Sequence, residues 1–144
     1  MIHDDTIKLL RECDAGVRMG ITSIREVLDS VKGTELREEL LSCQEKHEAL
    51  DKEIQELLHR YHDEGKEPPV MAKGMSWVKT NMALAMDGSD ETVSDLITDG
   101  CNMGVKSLSR YLNQYQAADE TSKDIAKRLI ALEENLVVQI RRFL

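Results

Sequence analysis

The chain has 144 residues, of which 41% are hydrophobic, 32% are charged and only 3% are aromatic. That length suits one domain with a buried core, and the shortage of aromatic residues disfavours a β-sheet protein. The net charge of −8 argues against nucleic acid as a partner, because a phosphate backbone is bound by clustered Lys and Arg. No apolar run approaches the roughly 20 residues that span a bilayer, so we expect no membrane partner.

The N-terminus reads Met-Ile-His-Asp-Asp and lacks the basic and apolar regions of a signal peptide. The three cysteines, Cys13, Cys43 and Cys101, form no C-x-x-C pair. Such cysteines fit reduced thiols buried in a core better than a disulfide framework. We therefore expect a cytoplasmic protein whose cysteines serve in packing.

Four segments repeat apolar residues at intervals of three or four, which is the period of an amphipathic helix. We predict four helices, at about residues 4–31, 35–64, 90–117 and 120–143. The second has the most regular stripe, and His47 lies on it. The predicted helix ends depend on capping residues, which are Asp4 or Asp5, a left-handed Gly33, Thr34, Ser89 or Asp90, and Thr121 or Ser122.

Residues 65–89 connect the two pairs of helices and begin with Gly65 and two prolines. The part from Met71 to Met86 has helical spacing and contains the only tryptophan, Trp77. We predict a short helix here that crosses the bundle. Trp77, Met75 and Met82 would then form an apolar patch that could contact a partner or a second copy of the chain.

One short segment occurs twice, because residues 19–28 and 103–112 share Met, Gly, Ser and Leu at the same positions. Residues 125–134 similarly resemble residues 36–45. These matches predict one domain over residues 1–144, made of two duplicated hairpins at about 4–64 and 90–144. A glycine inside a helix costs about 1 kcal/mol relative to alanine and usually has a packing reason. The pairs Met19-Gly20 and Met103-Gly104 are therefore predicted to allow close helix approach.

Duplicated helical hairpins joined by a long connection resemble the ferritin-like superfamily, whose four-helix bundle has one long crossover. The chain is also similar to a family of small bacterial ferritin-like proteins of unknown function. The segments that carry this likeness are Met71-Ala72-Lys73 with Trp77, Asn81-Met82, Met103-Gly104-Val105 and Leu132-Glu133-Glu134. The resemblance implies an all-α, up-down four-helix bundle with a short helix in the crossover. It is also compatible with a homodimer paired through helix faces.

Ferritin-like di-iron proteins use a Glu from each of two helices and Glu-x-x-His from each of the other two. Here Glu45 is followed at that spacing by Glu48, Glu134 by Val137, and Glu133 by Leu136. Helices 1 and 3 carry no inward Glu on their stripes. We therefore predict that the chain binds no ferritin-type di-iron centre.

Two histidine clusters remain as candidate sites. His47 is interpreted either as a neutral core histidine with a buried hydrogen bond, or as part of an altered transition-metal site. That site would use Glu45, Glu48, Asp14 and a helix-4 carboxylate, Glu133 or Glu134. His59 and His62, one turn apart near the end of helix 2, could bind a metal adventitiously.

The function favoured by the sequence is a non-enzymatic binding or structural protein without a cofactor. A metalloprotein centred on His47, and an interaction module that uses the Trp77 patch, are the alternatives.

Overall fold

The computed structural model describes residues 2–66, 77–85 and 87–144. The described part of the chain is helical and contains no strand. The four predicted long helices and the short crossover helix are all present. Their bounds are Ile2–Leu28 (α1), Thr34–Arg60 (α2), Trp77–Ala85 (α3), Asp90–Gln114 (α4) and Glu120–Ile140 (α5), with a final 3₁₀ turn at Arg141–Phe143.

The four long helices form a bundle in which α1 packs on α2, α4 packs on α5, and the two pairs pack on each other. Polar contacts fix the relative directions of the pairs. Asp90, at the start of α4, accepts from the backbone N–H groups of Lys32 and Gly33, just after α1. At the other end of α1, Asp5 accepts from the backbone of Ala117. Helices α1 and α4 are therefore antiparallel.

Ion pairs set the direction of the other pair in the same way. Glu35 at the start of α2 contacts Arg142 beyond the end of α5, and Glu53 contacts Arg128 nearer its start. Since α2 and α5 are also antiparallel, the long helices run up, down, down and up. The parallel helices α2 and α4 are joined by the long connection that contains α3.

Helix boundaries differ from the predicted ones because several caps are supplied by tertiary contacts. Gly33 has φ of −77° and is the N-cap of α2, not a left-handed helix end. The backbone N–H of Gly33 donates to the carboxylate of Asp90, the first residue of α4. Asp119 caps α5 by accepting from the backbone of Ser122, so Thr121 and Ser122 are not the cap. Ser89 is confirmed as the cap of α4.

Two further boundaries are corrected. α1 begins at Ile2, which places Asp4 and Asp5 in its first turn and not at its cap. α2 ends at Arg60, four residues earlier than predicted. The left-handed residues that follow are His62 and Gly65, with φ of 56° and 86°.

The buried side chains form two clusters, one toward each end of the bundle. The first contains Val17, Leu50, Leu108 and Leu129, and the second contains Ile24, Cys43, Cys101 and Leu136. A layer between these clusters receives one residue from each long helix. Its members are Gly20, His47, Gly104 and Glu133. None of the described helices is both long and apolar enough to cross a membrane.

The buried His47–Glu133 pair and the cavity beside it

A hydrogen-bonded pair of ionisable side chains occupies the central layer. His47 of α2 is 1% exposed and Glu133 of α5 is 8% exposed. The Nε2 atom of His47 lies 2.8 Å from Oε1 of Glu133, and its Nδ1 atom lies 2.8 Å from the backbone oxygen of Cys43. The buried hydrogen bond predicted for His47 is therefore present, with a partner 86 residues away.

The surroundings of His47 favour its charged form, whereas the sequence interpretation considered a neutral imidazole. Both ring nitrogens face oxygen acceptors, and only the imidazolium carries a proton on each nitrogen. Burial lowers the pKa of His47, but its hydrogen bonds and charge interactions with Cys43 and Glu133 raise it more, to about 10. The raised pKa of His47 favours an imidazolium that donates from Nε2 to Glu133.

The three cysteines are buried and free, as expected for packing residues. Burial raises the pKa of the Cys13 thiol to about 12, with a further contribution from Glu12. Burial and then the charge of Glu133 raise the pKa of Cys101. Because the thiolate is the reactive form of cysteine, these two thiols are poor nucleophiles.

The two glycines of the central layer differ in how much space surrounds them. A Cβ atom built on Gly20 would lie 2.7 Å from the Cδ2 and Nε2 atoms of His47, so this glycine allows the ring to approach α1 closely. A Cβ atom on Gly104 would be 3.9 Å from its nearest neighbour, Glu133. Gly20 therefore makes room for the His47 ring of α2. At Gly104 a Cβ atom would make only ordinary van der Waals contact, so the predicted close approach is not seen there.

Alanine substitution at these two positions should have opposite effects on the free energy of unfolding. Gly104→Ala should stabilise the fold by up to about 1 kcal/mol, since alanine is the better helix former and has room. Gly20→Ala should be destabilising despite the same gain, because overpacking typically costs about 1–3 kcal/mol. Urea unfolding of both variants measures the difference. Equal effects would mean that His47 does not pack against Gly20.

A cavity of about 310 Å³ lies between α1 and α4 and includes this layer in its wall. Small residues face it at successive turns of both helices, namely Ala15, Gly16, Gly20 and Ser23 on α1, and Gly100, Cys101, Gly104 and Ser107 on α4. A Cβ atom on Gly100 would meet no heavy atom within 4 Å. The missing side chain of Gly100 therefore leaves space open, and His47 and Glu133 form part of the inner wall.

The two ends of the cavity differ in chemistry. At one end lie Glu12, Lys66 and Tyr111, and the Lys66 ammonium forms an ion pair with Glu12. At the other end lie Ile24, Val78 and Ile97. The space is thus polar at one end, apolar at the other, and bordered midway by the buried His47–Glu133 pair.

Asp14 holds the polar end in place and is fully buried. Its carboxylate accepts from Gln55 at 2.7 Å, from the backbone N–H of Lys66 at 2.8 Å and from Arg18 at 3.1 Å. These contacts tie α1 to α2 and to the chain that follows α2. Asp14 therefore positions Lys66 and is not a partner of His47, in contrast to the predicted altered metal site.

Other predicted ligands of that metal site are also kept apart. Glu45, Glu48 and Glu134 are exposed, whereas His47 is buried. His59 and His62 are exposed too, and His62 lies beyond the end of α2, so they share no helix face. Among the described residues, no group of three or more His, Cys, Asp or Glu side chains is arranged to hold a metal ion.

The central layer also does not fit a ferritin-type di-iron centre. It presents one carboxylate and one imidazole, and these are hydrogen-bonded to each other. Helices α1 and α4 contribute glycine to the same layer. A di-iron site needs several carboxylates and two histidines at that place.

Part of the predicted crossover patch lies outside the described residues. Met75 belongs to the segment that is not described, and the side chain of Trp77 is not described either. Met82 is half-buried and packs against the second core cluster. Met19 and Met103 line the cavity, and Met103 is 47% exposed.

Comparison of the chain with protein-family models, with characterised proteins and with solved structures finds no match.

Proposed function

We propose that this protein is a non-enzymatic binding protein that holds a small, mostly apolar molecule in the cavity between α1 and α4. The observation that carries the proposal is the cavity itself, which is about 310 Å³ in volume. Ligand pockets are typically concave, mainly apolar and supplied with a few polar groups. Small side chains keep this space open on both helices, although a glycine in each helix interior costs stability.

The chemistry of the cavity wall supports binding over catalysis. His47 and Glu133 each engage the other, so neither is a free general acid or base. Burial, and then its interaction with Glu133, raise the pKa of the Cys101 thiol, so it is held in the unreactive thiol form. The polar pair is suited to orienting a ligand.

A ferritin-like origin is part of the same proposal. One long crossover between two antiparallel hairpins is the connectivity of ferritin-like bundles, and the up, down, down, up order of the long helices supports it. In this interpretation a binding cavity has taken the place of a metal centre. The homodimer stays a prediction.

Filling the cavity should abolish binding without unfolding the protein. Gly100→Leu adds a side chain that extends into open space, and leucine is a better helix former than glycine. Asn102→Leu places the same residue at an exposed position of α4 and serves as the matched control. We expect hexanol to shift the amide resonances of Gly16, Gly20, Gly100 and Gly104 in the native protein and in the control.

In the Gly100→Leu protein, affinity for hexanol should fall at least tenfold while the unfolding temperature is unchanged or higher. Shifts scattered over the surface, or equal affinity in both leucine variants, would refute binding in the cavity. The comparison needs only a titration of isotope-labelled protein and a thermal melt of each variant.

A further inference from the structure

We infer that the ligand is a linear aliphatic chain with an uncharged hydroxyl head group, which lies beside Lys66 and Glu12. This inference rests on the proposed function and adds to it the shape, the orientation and the charge of the ligand. Three features of the cavity lead to it, namely its length, the difference between its ends, and the pairing of the two charged side chains at the polar end.

The cavity is elongated along the helices. Its lining runs on α1 from Glu12 to Ile24 and on the antiparallel α4 from Tyr111 back to Ile97. Twelve residues of α-helix at 1.5 Å each extend about 18 Å, which is about twice the diameter of a sphere of the cavity's volume. Such a space suits an extended chain better than a rounded molecule.

The length sets the size of the chain. With C–C bonds of about 1.5 Å, an extended chain advances about 1.25 Å per carbon, so the cavity holds about fourteen carbons. The tail would lie against Ile24, Val78 and Ile97, which are the apolar residues at the other end of the lining. The middle of the chain would pass Gly100, where a Cβ atom would meet no heavy atom within 4 Å.

The head group follows from the pairing of Lys66 with Glu12. Lys66 donates to the carboxylate of Glu12, and both side chains are part of the cavity wall. An ammonium has three N–H donors, so Lys66 keeps donors for a ligand, and the carboxylate keeps lone pairs. A hydroxyl both donates and accepts, and it can therefore hydrogen-bond to both partners.

Charged head groups fit this end less well. A carboxylate would accept from Lys66 but lie beside the negative charge of Glu12, and an ammonium would face the opposite conflict with Lys66. Like charges that are close together and partly desolvated disfavour binding. The nearby phenol of Tyr111 hydrogen-bonds to Glu12, and its oxygen can still accept from a hydroxyl.

The test is calorimetric titration of the native protein with 1-alkanols from hexanol to hexadecanol, each below its solubility limit. Affinity should rise roughly fourfold per added methylene group, as expected for burial of about 0.8 kcal/mol each. The rise should stop at about fourteen carbons, where the chain has passed the last apolar residues of the lining. Dodecanoate and dodecylamine should bind at least tenfold more weakly than dodecanol.

Two variants examine the head-group contact. Lys66→Met should remove the conflict with an amine, so that dodecylamine binds more tightly to this variant than to the native protein. Lys52→Met changes a lysine that is exposed on α2 and should leave all affinities unchanged. Lys52→Met is not expected to affect folding, whereas Lys66→Met leaves Glu12 without its ion-pair partner, so a thermal melt of each variant accompanies the titrations.

The outcomes separate this inference from the proposed function. If hexanol binds in the cavity but affinity is independent of chain length, or if dodecanoate binds as tightly as dodecanol, the linear hydroxyl ligand is ruled out and the binding function stands. If none of the alcohols binds and cavity resonances do not move, both the ligand and the binding function are wrong.

Discussion

Replacing Glu133 by leucine should lower the free energy of unfolding by about 3–5 kcal/mol, which is the usual cost of removing one partner of a buried ion pair. His47 is 1% exposed and would lose the acceptor of its Nε2 proton. The ring would then remain buried with an unsatisfied group or without its charge. Urea unfolding at neutral pH measures the loss.

The matched control is the double variant His47→Leu with Glu133→Leu. Replacing both partners of a buried pair by apolar residues is often close to neutral. Helix α5 already has Leu136 one turn from Glu133, and this leucine is buried in the adjacent core cluster. We expect the double variant to recover at least half of the stability lost in Glu133→Leu. A double variant as unstable as the single one would mean that the two side chains are not coupled.

The pair also predicts a pH dependence. The pKa of His47 is raised from 6.5 to about 10, so the folded state holds a proton that the unfolded chain releases. Its stabilising contribution is fully present below pH 6.5 and is lost as the pH rises toward 10. The ionisable groups that face the ring are Glu133 and Cys43, and Cys101 lies beside Glu133. The decline in stability over this range should be absent from the double variant.

The helices could be predicted because each long one buries a continuous stripe. On α2 the predicted residues Leu36, Leu40, Cys43, His47, Leu50 and Ile54 are buried. Near its end the stripe moves to Leu58, which is buried in place of Leu57 and Tyr61. A straight helix has 3.6 residues per turn, so a strict seven-residue pattern drifts off the buried face.

The sequence identified one member of the central buried pair, His47, but did not single out its partner. The stripe of α2 pointed to His47, and Glu133 was one of two carboxylates considered for it. If the hairpins are matched at the predicted offset, Glu133 corresponds to Gln44, and His47 corresponds to Leu136. At these two matched positions, α2 therefore carries one ionisable residue, His47, and α5 carries one, Glu133. This match was the signal in the sequence that could have identified the pair.

The cavity could not be predicted, because a glycine in a helix is compatible with either close packing or open space. The side chain of His47 fills the space at Gly20, while nothing fills it at Gly100. Which outcome occurs depends on the distance from each glycine to the neighbouring helices and on the side chains that they direct at it. That distance is a property of the whole bundle and is not encoded in a local pattern.

The second large effect is expected at Asp14, where substitution by alanine should cost about 3–4 kcal/mol. The carboxylate accepts from Gln55, Arg18 and the backbone of Lys66 in a fully buried position. Leaving a buried donor without its acceptor costs about 1–3 kcal/mol for each group that water cannot reach. Burial raises the pKa of Asp14, with the backbone N–H of Lys66 opposing it, so removing the charge recovers part of this cost.

Asp51→Ala is the control, because Asp51 also accepts from Gln55 but is only partly buried. It should cost less than about 1 kcal/mol, as is typical of a partly exposed hydrogen bond. Equal losses in the two variants would show that Asp14 is not the anchor of the connection.

In the Asp14→Ala protein, Lys66 loses its backbone tether at the polar end of the cavity. The preference for dodecanol over dodecylamine should therefore weaken in this variant and persist in Asp51→Ala, which links the buried carboxylate to ligand selection.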